Sequence, residues 1–191
     1  TDDGWAQAGP DGELPPLRTH VAHDASRTII SRNDSPDIPF TQSINPYRGC
    51  EHGCVYCYAR PTHAYLGLSP GLDFETRLFA KPDAAKLLDA ELRKPGYRPM
   101  AIALGTNTDP YQPVEREHRI TRAILETLRD FGHPFSIVTK SALVARDIDI
   151  IAPMAARRLA HVFVSVTTLD RDLARAMEPR ASTPARRLEA I

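Results

Sequence analysis

Four short strand-like runs, separated by stretches of helical period, constrain this chain most. Gln42 to Asn45, Met100 to Leu104, Phe135 to Thr139 and His161 to Val166 read as strands. Helices are expected between them. A short one runs from about Cys57 to Leu66. A second opens at Pro82 and carries Leu87, Leu88 and Leu92, and a third spans 114–130 with Ile120, Ile124 and Leu128 on one face and Gly132 as its stop. Further helical stretches follow at 147–158, at 170–177 and from Thr183-Pro184 onward, and Phe74 to Ala80 is strand-like. Alternation of this kind specifies an α/β fold with parallel strands and right-handed crossovers. His161 to Val166 is nearly all apolar, as for a strand covered on both faces.

Residues 1–40 differ in kind. Pro10, Pro15, Pro16, Pro36 and Pro39 interrupt them and no period is sustained, so they read as an irregular N-terminal leader to a core at 41–191. Four βα units are legible before the chain stops inside a helical segment at Ile191, which reads as a fragment of a longer protein.

Charge gives little direction. Lys plus Arg and Asp plus Glu each number 24, so nothing global favours a polyanionic partner. A mild basic tilt around Arg157, Arg158, Arg186 and Arg187 reads as a solvated face. No apolar run is long enough to span a membrane and no export signal opens the sequence, so no membrane partner and a cytoplasmic location are expected.

All three cysteines fall within eight residues, in Gly49-Cys50-Glu51-His52-Gly53-Cys54-Val55-Tyr56-Cys57-Tyr58. An odd, tightly clustered set cannot be a disulfide framework and points to metal or redox chemistry. Iron–sulfur clusters are usually held by four thiolates. Three thiolates leave one iron of a cubane without a protein ligand, open to a chelating amine and carboxylate. Gly49 and Gly53 suit such a loop because they admit positive φ and close backbone approach. The alternative is a non-catalytic module, with zinc completed by His52 or His63, or an electron-transfer iron–sulfur site. The loop lacks the paired knuckles of structural zinc, and a ferredoxin-like carrier would want a fourth cysteine.

The C-x3-C-x2-C spacing, with an aromatic residue just before the third cysteine, resembles the radical S-adenosylmethionine (SAM) superfamily. Asn45-Pro46-Tyr47-Arg48-Gly49-Cys50 and Tyr56-Cys57-Tyr58-Ala59-Arg60 are similar to the branch related to spore photoproduct lyase. The resemblance implies a partial (β/α)6 barrel, cut off after about four βα units. It also implies a [4Fe-4S] cluster on Cys50, Cys54 and Cys57, and reductive cleavage of SAM to a 5′-deoxyadenosyl radical that abstracts hydrogen from a substrate. That substrate is unassigned, with nucleic acid suggested by the branch alone, and a flavodoxin or ferredoxin is the implied electron donor. The SAM-binding roles carried over fall on Tyr56 beside the adenine and on Thr108, then Asp109, for the amino group. Lys140 takes the carboxylate, and Ser165 the ribose or carboxylate. No catalytic residue is assigned.

Each role has a plainer rival: Asp109-Pro110 is a good turn, lysines snorkel at surfaces, and Ser165 could be a satisfied core hydroxyl. Glu178-Pro179-Arg180 is expected either to line the substrate side or to hold a loop by an ion pair. Spore photoproduct lyases return a hydrogen atom from an extra cysteine, and every cysteine here is in the loop. The chain is therefore not expected to be such a lyase in the strict sense, and the candidate substitute donors are a tyrosine such as Tyr111 or a cysteine beyond Ile191.

Overall fold

The computed structural model describes residue 3 and residues 18–191. Strands β1 (His20–His23), β2 (Ser31–Arg32), β3 (Gln42–Ile44) and β4 (Tyr47–Arg48) come first. A 3-10 turn at Arg60–Leu66 leads to α1 (Asp73–Thr76), β5 (Arg77–Ala80), α2 (Ala84–Leu92) and β6 (Ile102–Leu104). Then come α3 (Glu115–His118), α4 (Ile120–Asp130), β7 (Phe135–Thr139), a 3-10 turn at Ala142–Asp147, α5 (Ile148–Ala156) and β8 (Ala160–Val164). Helices α6 (Arg171–Met177) and α7 (Pro184–Glu189) close the series.

The main sheet has the order β2-β3-β6-β7-β8, and its last four strands are parallel. The expected α/β architecture is therefore present, and its successive crossovers fit part of a barrel. Parallel pairing brings Asn45, Gly105, Lys140 and Ser165, which follow the four strands, to one edge of the sheet. A smaller sheet, β1-β5-β4, stands beside it.

The core lies between the main sheet and α2, α4 and α5, where Ile44, Ile102, Leu104 and Ile137 meet Leu88, Ile124, Leu125 and Ile150. In α2 the buried positions Ala84, Leu88 and Leu92 recur every four residues, which gives the stripe that docks on α4.

Four expectations change. The leader is not irregular throughout: β1 pairs with β5 and β2 with β3, so residues 20–23 and 31–32 find sheet partners that local pattern could not reveal. The rest of that expectation, at residues 1–2 and 4–17, lies outside the described residues. The strand read over 74–80 begins only at Arg77, after a single helical turn. The helix read over 114–130 breaks at Arg119, whose φ of 52° is left-handed. There the buried Glu115 carboxylate folds back and accepts the Thr121 amide at 3.1 Å, capping α4 from outside the helix. Finally, β8 is covered on one face only, since His161 and Phe163 are exposed.

Candidate functional site

The cysteine loop leaves β4 and is fastened by its backbone on two sides. The Cys50 amide donates to the Phe74 carbonyl at 2.8 Å. Gln112 brackets the loop, accepting the Glu51 amide at 3.0 Å and donating to the Gly49 carbonyl at 3.1 Å. Glu51 in turn accepts the Val114 amide at 2.9 Å and the Thr19 hydroxyl at 2.5 Å. From the other side the Val55 amide reaches the Met177 carbonyl at 3.0 Å, and the Arg180 amide reaches the His52 carbonyl at 3.2 Å. Arg60 doubly clamps the Cys54 carbonyl from Nε and Nη2 at 3.1 and 3.0 Å, and is itself held by Glu75 at 2.6 Å.

Gly49 has to be glycine. Its φ is +78°, and a Cβ there would lie 2.5 Å from Leu78 and 2.8 Å from the Phe74 carbonyl oxygen.

The three thiols are unpaired, with Cys50 buried and Cys54 and Cys57 half-buried. Burial pushes the Cys50 thiol well above its ordinary value, and the Asp109 carboxylate acts in the same direction. Burial also pushes Cys54 up to about 12, against the opposing pull of Lys140. Thiolate ligation would therefore release protons here. Among the described residues no three His, Cys, Asp or Glu side chains converge as ligands of one ion. His52 directs Nδ1 at Asp109, 3.4 Å away, and His63 places Nε2 2.9 Å from the Arg77 carbonyl with its ring against Phe74. Each histidine thus has one ring nitrogen engaged within the protein, while His63 Nδ1 is buried without a hydrogen-bond partner.

The residues carried over for SAM divide into two groups. Lys140 and Tyr56 meet, with Nζ 5.7 Å from the ring centre, and Lys140 is close enough to act on the Cys54 thiol. Ser165, just past β8, is tied to the same place because its amide donates to the Thr139 carbonyl at 2.8 Å. Thr108 and Asp109 are spent on the protein. Thr108 Oγ1 donates to the Tyr47 carbonyl at 2.9 Å. Asp109 accepts the Thr139 hydroxyl and the Lys140 amide, both at 2.7 Å, and the Tyr111 amide at 2.9 Å. Burial works against its charge, but His52 and these hydrogen bonds hold its carboxyl at about 2. Thr106, Thr108 and Asp109 thus have their side chains turned to internal bonds, while Asn107 is exposed.

Two site residues escaped sequence reasoning. Asn45 orders that turn: its Oδ1 accepts the Asn107 and Thr108 amides at 3.0 and 3.4 Å, and its Nδ2 donates to Thr106 at 3.1 Å. Its place in the Asn45-Pro46-Tyr47 string was the available signal. Arg187 was read as solvated surface and is buried, paired with Glu178. Of the two roles weighed for Glu178 and Arg180, ion pairing is the one observed, Arg180 meeting Glu75 at 3.3 Å. Tyr111 is buried with its hydroxyl on Asp147 at 3.0 Å, which removes it as a hydrogen donor to a substrate.

A family model for the radical SAM superfamily matches residues 44–191. The chain belongs to the radical SAM superfamily. An uncharacterized protein of Mycobacterium tuberculosis is 44% identical over 154 residues, covering 81% of this chain and 45% of the relative. An uncharacterized protein of Methanocaldococcus jannaschii is 28% identical over 148 residues, covering 78% and 52%. The chain thus spans about half the length of the curated relatives it matches. Among solved structures, a double mutant of spore photoproduct lyase with bound AdoMet and dinucleoside spore photoproduct superposes with a TM-score of 0.57 at 17% identity. That match covers 89% of this chain and 45% of the lyase. The lyase complexed with dinucleoside spore photoproduct gives 0.56 at 18% identity, with the same coverage. At these identities the likeness establishes the fold. Among the described residues no helix is long and apolar enough to cross a membrane.

Proposed function

We propose that this radical SAM chain holds a [4Fe-4S] cluster on Cys50, Cys54 and Cys57 and binds SAM beside it. The observation that carries the reading is the meeting of Lys140 and Tyr56 next to a loop of three unpaired thiols at the C-terminal edge of a parallel sheet. The donor set fits: three thiolates on one ordered loop suit a cubane, which takes each on a different iron and leaves the fourth iron open. When bound, the cluster supplies the electron that cleaves SAM to methionine and a 5′-deoxyadenosyl radical able to abstract hydrogen.

The chain's own residues do the positioning. Lys140 offers its ammonium to the SAM carboxylate, with Ser165 alongside. Tyr56 gives an aromatic face for the adenine. The Gly105–Asp109 turn, stiffened by Asn45 and Asp109, presents its backbone to the SAM amino group. Asp109 acts here by fastening β7 to that turn, while Thr108 anchors the turn to Tyr47.

A nucleic-acid substrate is the reading favoured by the lyase-like fold, with a flavodoxin or ferredoxin as electron donor and the cytoplasm as location. The unit from residue 41 onward carries the site, and the preceding segment completes it through β1, β2 and the core residues Ile29 and Ile30. Anaerobic reconstitution tests the whole reading. Four irons per chain, broad visible absorbance, and 5′-deoxyadenosine formed from SAM and a reductant are expected. A colourless protein holding one zinc would overturn it in favour of a structural module.

A further inference from the structure

Arg187 and Glu178 form a buried ion pair that no chemistry described so far requires. Arg187 is 1% exposed and Glu178 fully buried, and Nη2 stands 2.5 Å from Oε2. The contact is close but off-axis, so it acts as a charge pair rather than an aligned hydrogen bond. Removing two charges from water costs several kcal/mol per ion. A helix as short as α7 could dock on an apolar side chain without that cost.

The partners of the guanidinium are informative. Its Nε donates to the Ser182 carbonyl at 2.7 Å and its Nη1 to the Ser165 carbonyl at 3.0 Å. The other oxygen of Glu178, Oε1, accepts from the Tyr56 hydroxyl and, at 2.7 Å, from Thr167. The Ser182 amide donates to the Lys140 carbonyl at 3.2 Å. One guanidinium is therefore joined directly to Ser165, through one carboxylate to Tyr56, and through one residue to Lys140. A planar fork with donors in three directions can do this, and a lysine ammonium cannot match that geometry.

We propose that Arg187 and Glu178 are positioning residues that set Tyr56, Lys140 and Ser165 relative to one another for SAM. This inference rests on the SAM-binding role given to those three residues above. Arg187 acts through its partners, from beneath the surface a ligand would touch.

The test uses the chain labelled with 13C-tyrosine, as the wild type, Arg187→Lys, Glu178→Gln and Tyr56→Phe. The Tyr56 ring signal is assigned by its loss in Tyr56→Phe, and folding is checked by circular dichroism. In the metal-free chain, Arg187→Lys and Glu178→Gln should move that signal toward the position of a tyrosine whose hydroxyl is bonded to water alone. After reconstitution, both should keep full iron content and bind SAM about tenfold more weakly by calorimetry, less than the loss of a direct charged contact because they act through Tyr56, Lys140 and Ser165. Because Glu178 works through the Tyr56 hydroxyl, Glu178→Gln should cost little more in a Tyr56→Phe background. A Tyr56 signal unmoved in folded variants overturns the inference, as does a loss of SAM affinity that merely follows loss of iron. If Arg187→Lys does not fold, the Glu178→Gln and Tyr56→Phe pair decides alone. If the Tyr56 signal moves but the iron-loaded wild type binds no SAM, the positioning of Tyr56 stands and the SAM reading falls.

Discussion

Lys140 Nζ stands 5.7 Å from the centre of the Tyr56 ring, so the cation at the end of β7 covers an aromatic face one residue from Cys57. A cation over an aromatic ring is held in place before any ligand arrives. Lys140→Ala should weaken SAM binding by a factor of about thirty, the loss of one charge-assisted contact, while iron content stays unchanged. Calorimetry on the reconstituted chain measures this. An unaltered affinity would return Lys140 to the class of ordinary surface lysines.

Cys50→Ala, Cys54→Ala and Cys57→Ala should each abolish cluster binding while circular dichroism stays close to that of the wild type. The loop is held by its backbone to Phe74, Gln112 and Met177, none of which depends on a sulfur. Iron analysis decides the point, residue by residue. Any single variant that retains four irons would remove that cysteine from the ligand set.

Gly49→Ala should lower stability by roughly 3 kcal/mol or more, since left-handed strain and overpacking act together. Gly67 provides the control, because its φ is +71° but a Cβ there would meet nothing within 4 Å. Gly67→Ala should cost about 1 kcal/mol, the backbone part alone. Urea unfolding of both variants separates the two contributions. Equal losses would mean that contact with Leu78 and Phe74 is unimportant.

His133 should make stability depend on pH. It is buried, with Nδ1 2.9 Å from the Pro134 carbonyl and Nε2 2.8 Å from the Tyr97 hydroxyl. Burial disfavours the charged ring, so the folded form takes its proton at a lower pH than the ordinary value of 6.5. The unfolded chain then binds more protons below 6.5, and stability falls as pH drops through that value. His133→Asn should flatten this dependence between about pH 7 and pH 5.5. A slope that survives the substitution would place the effect on other histidines.

The parallel strands were legible in the sequence because apolar runs such as Ile102–Leu104 and Phe135–Thr139 alternate along the chain with helices whose buried positions recur at helical spacing. The cysteine loop was legible because its chemistry is concentrated in one window. Residues acting at long range were not. Glu115 begins one helix and caps the next only because Tyr47 and Arg146, distant in sequence, bond its carboxylate in place. Arg187 looked like surface because nothing local marks a charge whose partners are Glu178, Ser165 and Ser182. Asp109 was picked out as a ligand-binding acid, yet its oxygens answer Thr139, Lys140 and Tyr111. Short strands β1 and β2 carry too few residues for any period to register, and pairing alone defines them.

The fastening of the cysteine loop through its backbone would separate the lifetime of the protein from that of the proposed cluster. Gln112, Arg60 and the Met177 carbonyl hold the loop's course through bonds that oxidation of iron would not break. Damage by oxygen would then leave a folded chain with its three thiols still presented together. Such a chain would need a new cluster rather than a new polypeptide.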